Sequence, residues 1–557
     1  MGRLPSELLA EVFYWYISTV YRDSRKSPAT GPSPYAWLIL GHVCRAWRGV
    51  LLGYPKFYTF IPWAEPQCVE MMIRCARDLP LQIHEQPTPR MTSPSVQLEI
   101  GKLVLTNILR CTTADLAVNP GVVDPGLMQQ HGTSQLRELN VQLWNSAIPH
   151  VDLDSPIFPN MKFPHLHSLN CAFGSLAAVS NMLHSGLRRL DLSRPGRVSC
   201  DQLLAAIAPL QALEELHLRD ASIELEAEGL PTVPEQLISP PQHAIVLAQL
   251  RHLQISDYWS DSGIYILHHI VYPASASVRV HLRCPQPHMF DFIHSVVVAK
   301  LCGQGVIGLP PEPQSISLLA GFDIKLHLTL WERRQTLTGI EEKRYAAEDA
   351  YFQLSVSFVM DEGAVGALVR QLPLAGVRTA MLAEQVVDSE PLARTALVAG
   401  LPLLEELQLE YESFDGAAGA PPAAAELRGP SGAPLDDEDP ASVFPQLKVL
   451  RVHELHHAQA LQLAAHASEL AHLARWLGAM CVKDKSPFAS LSTYNKQSEF
   501  STVPLCCCSC SGSHTMGTFA SFTPLPISDL VPCCCLPCFY LLSGIGRVIS
   551  LFSRRRN

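Results

Sequence analysis

The 557-residue sequence lacks several features that would assign it to a functional class. It has no basic excess, because 42 Lys and Arg stand against 52 Asp and Glu for a net charge of −10. This balance argues against nucleic acid or an acidic membrane surface as partner. We find no Gly-rich phosphate loop, no G-x-S-x-G elbow and no dinucleotide fingerprint. No coherent catalytic set or cofactor motif is present either, so the chain is predicted not to be an enzyme and to need no cofactor.

The cysteines also lack the even, dense spacing of a disulfide framework. Eight of the 17 lie between Cys506 and Cys538, and the others are scattered over the preceding residues. The opening stretch MGRLPSELL has no charged region followed by an apolar run, as a secretory signal would have. We therefore expect an intracellular, reducing location, either cytoplasmic or nuclear.

The first sixty residues have the pattern of a small helical module. Pro5 fits the first turn of a helix. Apolar residues recur at helical spacing around it and are expected to form one stripe: Leu4, Leu8, Leu9, Val12 and Phe13. Residues 22–34 are predicted to be an exposed loop, and AWLILGHVCRAWRGVLL to be a second apolar-periodic segment. Such a module carries more apolar surface than it can bury alone, which indicates a partner.

These residues resemble an F-box, and in particular the F-box-like type abundant in mushroom-forming fungi. The match covers roughly residues 3–61 and depends on the LPxELL and VCRxWR segments. The long loop of residues 22–34 is a departure from the general F-box pattern that is common in the fungal type. F-boxes bind the Skp adaptor of cullin–RING ubiquitin ligases. The resemblance implies adaptor binding by Leu4, Pro5, Leu8, Leu9, Val12, Val43, Cys44 and Trp47. The alternative is that these residues are the interior of a helical bundle.

From about residue 79 a pattern L-x-x-L-x-L recurs, separated by apolar helical stretches. It begins at Leu136, Leu166, Leu187, Leu213, Leu250, Leu404 and Leu447. Alternating strands and helices at this spacing are typical of leucine-rich repeats, whose units must stack because none buries its apolar face alone. We predict an all-α F-box over residues 1–62, followed by an irregular α/β leucine-rich-repeat solenoid, a horseshoe, over residues 63–480. The fungal family commonly carries such degenerate repeats.

The region between residues 256 and 403 is less regular, and the number of repeats in it is not indicated. VRVHLR from Val278, IKLHLTL from Ile324 and QLSVSFV from Gln353 alternate apolar and polar residues, as half-buried strands do. They predict either further solenoid strands, which we favour, or a separate small sheet. The low-complexity residues 415–441 are predicted to be a disordered insertion between two repeat strands.

The outward positions of the repeat strands predict a partner surface. In a solenoid these side chains point out from the concave sheet. The residues predicted to bind a partner protein there are Arg189, Asp191, Glu215, His217, Arg219, His252, Glu406, Gln408 and Arg451. The alternative is that they are ordinary solvated polar residues.

Two further patterns compete with this interpretation. The string HELHH, from His453 to His457, satisfies the H-E-x-x-H motif of zinc proteases, which requires a helix. Here it follows the strand-like LKVLRV, so we expect no metal site.

Residues 481–557 are predicted to be a Cys-rich tail of low order. Palmitoylation of its cysteines, or a span between Leu530 and Phe552, is the alternative that would bring the chain to a membrane.

The sequence thus predicts a substrate-recognition subunit of an SCF-type cullin–RING ubiquitin ligase, acting in ubiquitin-dependent protein degradation. The F-box would dock the Skp adaptor, and the repeats would bind a target protein whose identity the sequence does not give. The alternative is an F-box and leucine-rich-repeat scaffold that acts outside any ligase.

Overall fold

The structure, a computed structural model, describes part of the chain. The described residues are 4–26, 33, 35–62, 65–84, 94–118, 130–143, 156–172, 176–194, 198–220, 244–257, 260–283, 290–321, 325–336, 349–357, 368–383, 400–411, 446, 449–454 and 490–494. The predicted insertion at residues 415–441 lies outside them, as does most of the predicted tail, residues 495–557 included.

The chain begins with a helical region. Its elements are helix α1 (Ser6–Lys26), a 3-10 turn (Ala36–Ile39), α2 (Leu40–Val43), α3 (Arg45–Gly53) and a second 3-10 turn (Pro55–Tyr58). The buried stripe of α1 consists of Ala10, Phe13, Ile17 and Tyr21, spaced three or four residues apart. The Phe13 ring meets the Trp47 ring of α3 edge-on, with centroids 4.9 Å apart.

Two sequence-based expectations for this region are wrong. The apolar residues of α1 do not form one stripe, because Leu4 and Leu8 are exposed while Phe13 is buried. Helix α1 also continues to Lys26, so residues 22–26 are helical and not part of the loop that we expected there. The second apolar segment is broken at Cys44, whose backbone is extended. The Cys44 Sγ accepts a hydrogen bond from the Trp47 N–H at 3.5 Å and so caps α3.

Strands dominate the remainder of the described chain. They are β1 (Phe60–Pro62), β2 (Leu81–His84), β3 (Cys111–Val118), β4 (Gly132–Thr133), β5 (Glu138–Leu143), β6 (Met161–Lys162), β7 (Ser168–Ala172), β8 (Arg189–Ser193), β9 (Glu215–Arg219), β10 (Ile245–Val246), β11 (His252–Asp257), β12 (Ile270–Pro273), β13 (Ser277–Arg283), β14 (Val306–Ile307), β15 (Ser315–Gly321), β16 (Lys325–Trp331), β17 (Phe352–Ser357), β18 (Thr379–Ala383), β19 (Glu406–Tyr411), β20 (Val449–Glu454) and β21 (Ser490–Tyr494).

Within the described residues, sixteen of these strands form one large mixed sheet. Its order is β1-β2-β3-β5-β7-β8-β9-β11-β13-β17-β16-β15-β18-β19-β20-β21. The sheet therefore reaches Tyr494, beyond residue 480 where we expected the strands to end. Two smaller sheets, β10-β12-β14 and β4-β6, accompany it.

Two rows of apolar side chains cross this sheet in register. Neighbouring strands from β5 to β13 align them in the orders Leu139-Leu169-Leu190-Leu216-Leu253-Val278 and Val141-Cys171-Leu192-Leu218-Ile255-Val280. All of these side chains are buried. Side chains alternate between the two faces of a strand, so burying these rows directs the intervening residues to the opposite face.

The irregular middle region does not form the separate small sheet that was the second expectation for it. VRVHLR is β13, IKLHLTL contains β16 and QLSVSFV contains β17, and all three strands belong to the main sheet. Yet β16 runs antiparallel to both β15 and β17. Only residues 322–324 connect β15 to β16, which is too short for the crossover that a parallel pair requires. A short hairpin is thus inserted into an otherwise parallel sheet.

Helices and short turns connect the strands. They are α4 (Pro66–Cys75), α5 (Pro94–Thr106), a 3-10 turn (Ile108–Arg110), α6 (Leu176–Val179), a 3-10 turn (Ser180–Met182), α7 (Cys200–Ile207), α8 (Ser260–His269) and α9 (Phe290–Leu301). Helix α8 packs against β11 and β13 and lies between α7 and α9. A capping box begins α7: Ser199 Oγ accepts from the Gln202 N–H, and Gln202 Oε1 accepts from the Ser199 N–H.

A buried lysine joins α9 to the small sheet. The Lys300 ammonium donates to the carbonyl of Ile270 at 2.7 Å and to that of Gly305 at 3.3 Å. Gly305 has φ +63°, and a Cβ there would lie 2.6 Å from Lys300 Nζ, so glycine is needed for both reasons. Burial lowers the pKa of Lys300 to about 8.

This lysine predicts a specific pH dependence of stability. Its pKa rises from about 8 in the folded chain to 10.5 in the unfolded chain. Between these values the unfolded chain binds more protons at Lys300, so the folded state gains stability as the pH rises. Relative to Lys300→Met, the wild-type free energy of unfolding should rise by about 3 kcal/mol across that window. Denaturant unfolding at a series of pH values measures it, and a flat or falling difference would contradict the assignment.

Candidate functional site

The first candidate surface is apolar and lies on the helical region. Leu4, Leu8 and Val43 leave 57%, 55% and 49% of their surface exposed. Leu8 lies in the first turn of α1, Leu4 precedes that helix by two residues, and Val43 ends α2. Large exposed apolar side chains on a well-packed helical module indicate an interaction surface. We call this set, with the exposed Pro5, the apolar helical surface.

The other predicted adaptor-binding residues are placed differently. Leu9, Val12 and Trp47 are half-buried, and Leu9 and Trp47 pack against the core. Cys44 is exposed, with its sulfur engaged in capping α3. Leu9 and Trp47 therefore contribute to the hydrophobic core, and Cys44 stabilises the start of α3, so these side chains are only partly available to an external partner.

Sequence reasoning missed two exposed apolar residues in the helical region. Trp15 on α1 and Leu52 on α3 are 59% and 66% exposed. Trp15 follows Leu8 by seven residues, two helical turns along the same face. The sequence shows that spacing. Trp15 was missed because Leu8 and Phe13 had been assigned to the same face of the helix.

The second candidate surface is the polar face of the main sheet. Three rows of side chains occupy it between the apolar positions. The first is Ser168-Arg189-Glu215-His252-Ser277, the second Asn140-Asn170-Asp191-His217-Gln254-Arg279-Gln353, and the third Ser193-Arg219-Ser256-His281-Ser355-His327. Six of the nine predicted partner-binding residues belong to these rows on β8, β9 and β11.

A buried carboxylate organises this part of the face. The Asp191 side chain is 4% exposed and accepts a hydrogen bond from the half-exposed Arg219 guanidinium at 2.9 Å. The Ser193 hydroxyl also reaches it, at 3.4 Å. His217 Nδ1 lies 3.5 Å from the same carboxylate without a hydrogen bond. Asp191 therefore fixes its neighbours, while Arg219 and His217 border the surface.

Ion pairs join the strands at the edge of the same face. Arg189 on β8 pairs with Glu215 on β9 at 3.3 Å. Glu214 lies between Arg188 at 3.5 Å and Arg251 at 3.6 Å, just before three neighbouring strands. Much of the predicted charge on β8 and β9 is thus compensated within the sheet. His252 of β11 is exposed.

The remaining predicted residues are far from this group. Seven strand spacings separate β9 from β19, roughly 34 Å. On β19, Gln408 is buried, and Glu406 pairs with Arg334 at 2.7 Å. Arg451 occupies the register position beside Gln408 on β20. The nine predicted residues therefore form two separate groups rather than one site.

Sequence reasoning also overlooked a group of basic residues at the centre of the polar face. Arg279, His281 and Arg283 alternate along β13, and His327 lies on β16 in the same row as His281. The signal was present in VRVHLR and IKLHLTL, whose polar positions are basic. It was missed because these segments lack the leucine signature by which outward positions were chosen.

The described parts of the chain also bear on the metal and membrane alternatives. His453 and Glu454 of the HELHH string end strand β20, so the motif does not begin in a helix; His456 and His457 lie outside the described residues. No group of three or more His, Cys, Asp or Glu residues with the geometry of a metal site occurs among the described residues. Among the helices described here, none has the length and apolar character needed to cross a bilayer.

The Asp191 cluster predicts unequal effects of two arginine substitutions. Arg219→Ala leaves the buried carboxylate without its charged partner and should lower the free energy of unfolding by about 1–2 kcal/mol. Arg188→Ala removes a longer, exposed pair and should change it by less than about 0.5 kcal/mol. Chemical denaturation measures both, and the Arg219→Ala effect should shrink in an Asp191→Asn background. Equal effects of the two substitutions would contradict the assigned role of Asp191.

Comparison with known proteins adds no relative: no protein-family model matches the chain, and no curated protein matches it. The interpretation of both surfaces therefore rests on the residues and on their geometry.

Proposed function

We propose that this protein is a non-enzymatic substrate receptor of an SCF-type cullin–RING ubiquitin ligase in the cytoplasm or nucleus. In this proposal the helical region is an F-box that docks a Skp-type adaptor. The large sheet is an irregular leucine-rich-repeat solenoid whose polar face binds the target protein. The observation that carries the proposal is the apolar helical surface.

The packing of the helical region supports adaptor docking. Phe13, Trp47 and Phe57 form a closed aromatic interior, with ring centroids 4.9 and 6.2 Å from Phe13. That interior does not need Leu4, Leu8 or Val43, whose exposure costs free energy unless another surface covers them. These are also residues to which the F-box resemblance assigns adaptor binding.

The sheet supports target binding by its size and its polarity. Parallel strands aligned by buried apolar rows hold the outward side chains in fixed positions, which suits recognition of a large partner. Such a receptor would accelerate ubiquitin transfer only by holding the target near other subunits. A scaffold that binds the adaptor without recruiting a cullin is the alternative, and cullin co-purification discriminates the two.

Adaptor binding should depend on the apolar helical surface. The full chain should co-purify with a Skp-type adaptor, and Leu8→Asp with Val43→Asp should abolish this, because each burial of an unpaired carboxylate costs several kcal/mol. Both side chains are exposed, so folding should be unaffected. Pull-down followed by titration calorimetry measures the loss.

Leu309→Asp is the matched control, since Leu309 is an exposed leucine outside the helical region. It should leave adaptor binding unchanged. Full binding by the Leu8→Asp, Val43→Asp double variant, or no binding by the wild-type chain, would refute the docking proposal.

A further inference from the structure

An open pocket lies on the main sheet near its first strands, apart from the predicted partner-binding residues. Its volume is about 510 Å³, within the range of pockets that hold small ligands. Strands β2, β3 and β5 supply most of its walls, and we call it the β2–β5 pocket. Its polar lining includes Gln82, His84, Thr113, Arg137 and Glu138. Gln82, Thr113 and Glu138 share one register row, so they lie side by side across the pocket.

A buried histidine forms one wall of this pocket. The His84 side chain is only 4% exposed, and its Nδ1 lies 3.2 Å from the carboxylate of Asp115 on β3. A carboxylate only accepts hydrogen bonds, so Nδ1 donates to it. The ring of Tyr21 on α1 packs against the imidazole, with centroids 5.3 Å apart. These contacts fix the ring, and its Nε2 has no hydrogen-bond partner within the described parts of the chain. In the neutral ring this nitrogen accepts a hydrogen bond.

The two charged side chains of the pocket lack the partners that their neighbours on the sheet have. Arg137 and Glu138 are exposed, and neither side chain forms a hydrogen bond or ion pair with another described residue. Farther along the row of Arg137, by contrast, Arg188 and Arg251 both pair with Glu214. The charged groups of the β2–β5 pocket are therefore available to a ligand.

The pocket combines one permanent positive charge with several hydrogen-bond acceptors. The planar donors of Arg137 match the two oxygens of a carboxylate. Glu138 and Nε2 of His84 accept from N–H groups, while the Thr113 hydroxyl and the Gln82 amide both donate and accept. A ligand that satisfies all of them carries a carboxylate next to N–H donors. The C-terminal end of a polypeptide has this chemistry, because its carboxylate follows main-chain N–H groups.

We propose that the β2–β5 pocket binds the C-terminal residues of a target protein. The terminal carboxylate binds to Arg137, and the last main-chain N–H groups donate to Glu138 and to His84. The inference rests on the proposed function, because it names the part of the target that the polar face recognises. A phosphate group fits this pocket less well, since it carries nearly two negative charges and would lie beside the Glu138 carboxylate.

The test measures binding of three labelled hexapeptide pools to the full chain by fluorescence anisotropy. Every pool carries the fluorophore at its N-terminus and is randomised at its last two positions. The first pool ends in a free carboxylate, the second in an amide, and the third in an amide with one internal glutamate. We expect the first pool to bind about tenfold or more tightly than the others, since it alone offers a terminal carboxylate to Arg137. Equal binding of the first pool and either amidated pool would overturn the proposal.

Arg137→Gln should weaken binding of the first pool about tenfold or more, because the charged donor is lost. Arg137→Lys keeps the charge and should retain part of the binding. Arg251→Gln is the matched control, since it removes the same charge from an exposed arginine in the same row, four strands away. Both arginines are exposed, so folding should be unaffected. Equal binding by the Arg137→Gln and Arg251→Gln variants would refute the assigned role of Arg137.

Two competitors distinguish a protein terminus from a small anion. Neither inorganic phosphate nor a mixture of free amino acids in excess should displace the first pool, because neither offers a carboxylate that follows main-chain N–H groups. Full displacement by either one would overturn the proposal.

Adaptor binding is measured on the same samples. Adaptor binding without binding of the first pool overturns the pocket proposal and leaves the ligase proposal standing. Binding of the first pool without adaptor binding supports the pocket in a module that acts outside a ligase.

Discussion

The structure depends on the alignment of apolar side chains across neighbouring strands. From β5 to β13, each strand places two buried residues beside two of the next, so no strand can shift by one residue without exposing them. Each fully buried leucine contributes about 1.5–3 kcal/mol. The same alignment sets the rows of the polar face, and therefore which charges become neighbours.

The two candidate surfaces differ in their chemistry, since one is apolar and the other is polar. On the helical region, Leu4, Leu8 and Val43 are apolar and uncovered although the aromatic interior is complete. On the sheet, ion pairs within the polar face compensate much of the charge of β8 and β9. Exposed apolar side chains favour an apolar partner surface, whereas a polar face favours a partner that offers hydrogen bonds and charge. One chain can thereby contact two partners through distinct physical forces.

The sequence predicted the features that depend on the regular spacing of apolar residues. It did not predict the features that are decided by tertiary contacts. The L-x-x-L-x-L segments from Leu136 to Ile255 became buried, registered strands, because side chains alternate between the two faces of a strand. The strand directions in the middle region could not be predicted. Strand β16 is antiparallel because only three residues connect it to β15, and this constraint is recognised only once both strands are known to be neighbours. The apolar helical surface was half predictable: helical spacing identified Leu4 and Leu8, but only packing shows that Phe13 turns inward and Trp15 outward. The nine partner residues were chosen by leucine signature, so the basic residues of β13 were passed over.

The central claim is that the adaptor and the target use separate surfaces, and hydrogen–deuterium exchange on the full chain tests it most directly. The adaptor should slow amide exchange in Ser6–Lys26 and Arg45–Gly53 and leave the sheet strands Arg189–Ser193, Glu215–Arg219 and Ser277–Arg283 unchanged. Protection of these strands by the adaptor, or unchanged exchange in the two helices, would contradict the account.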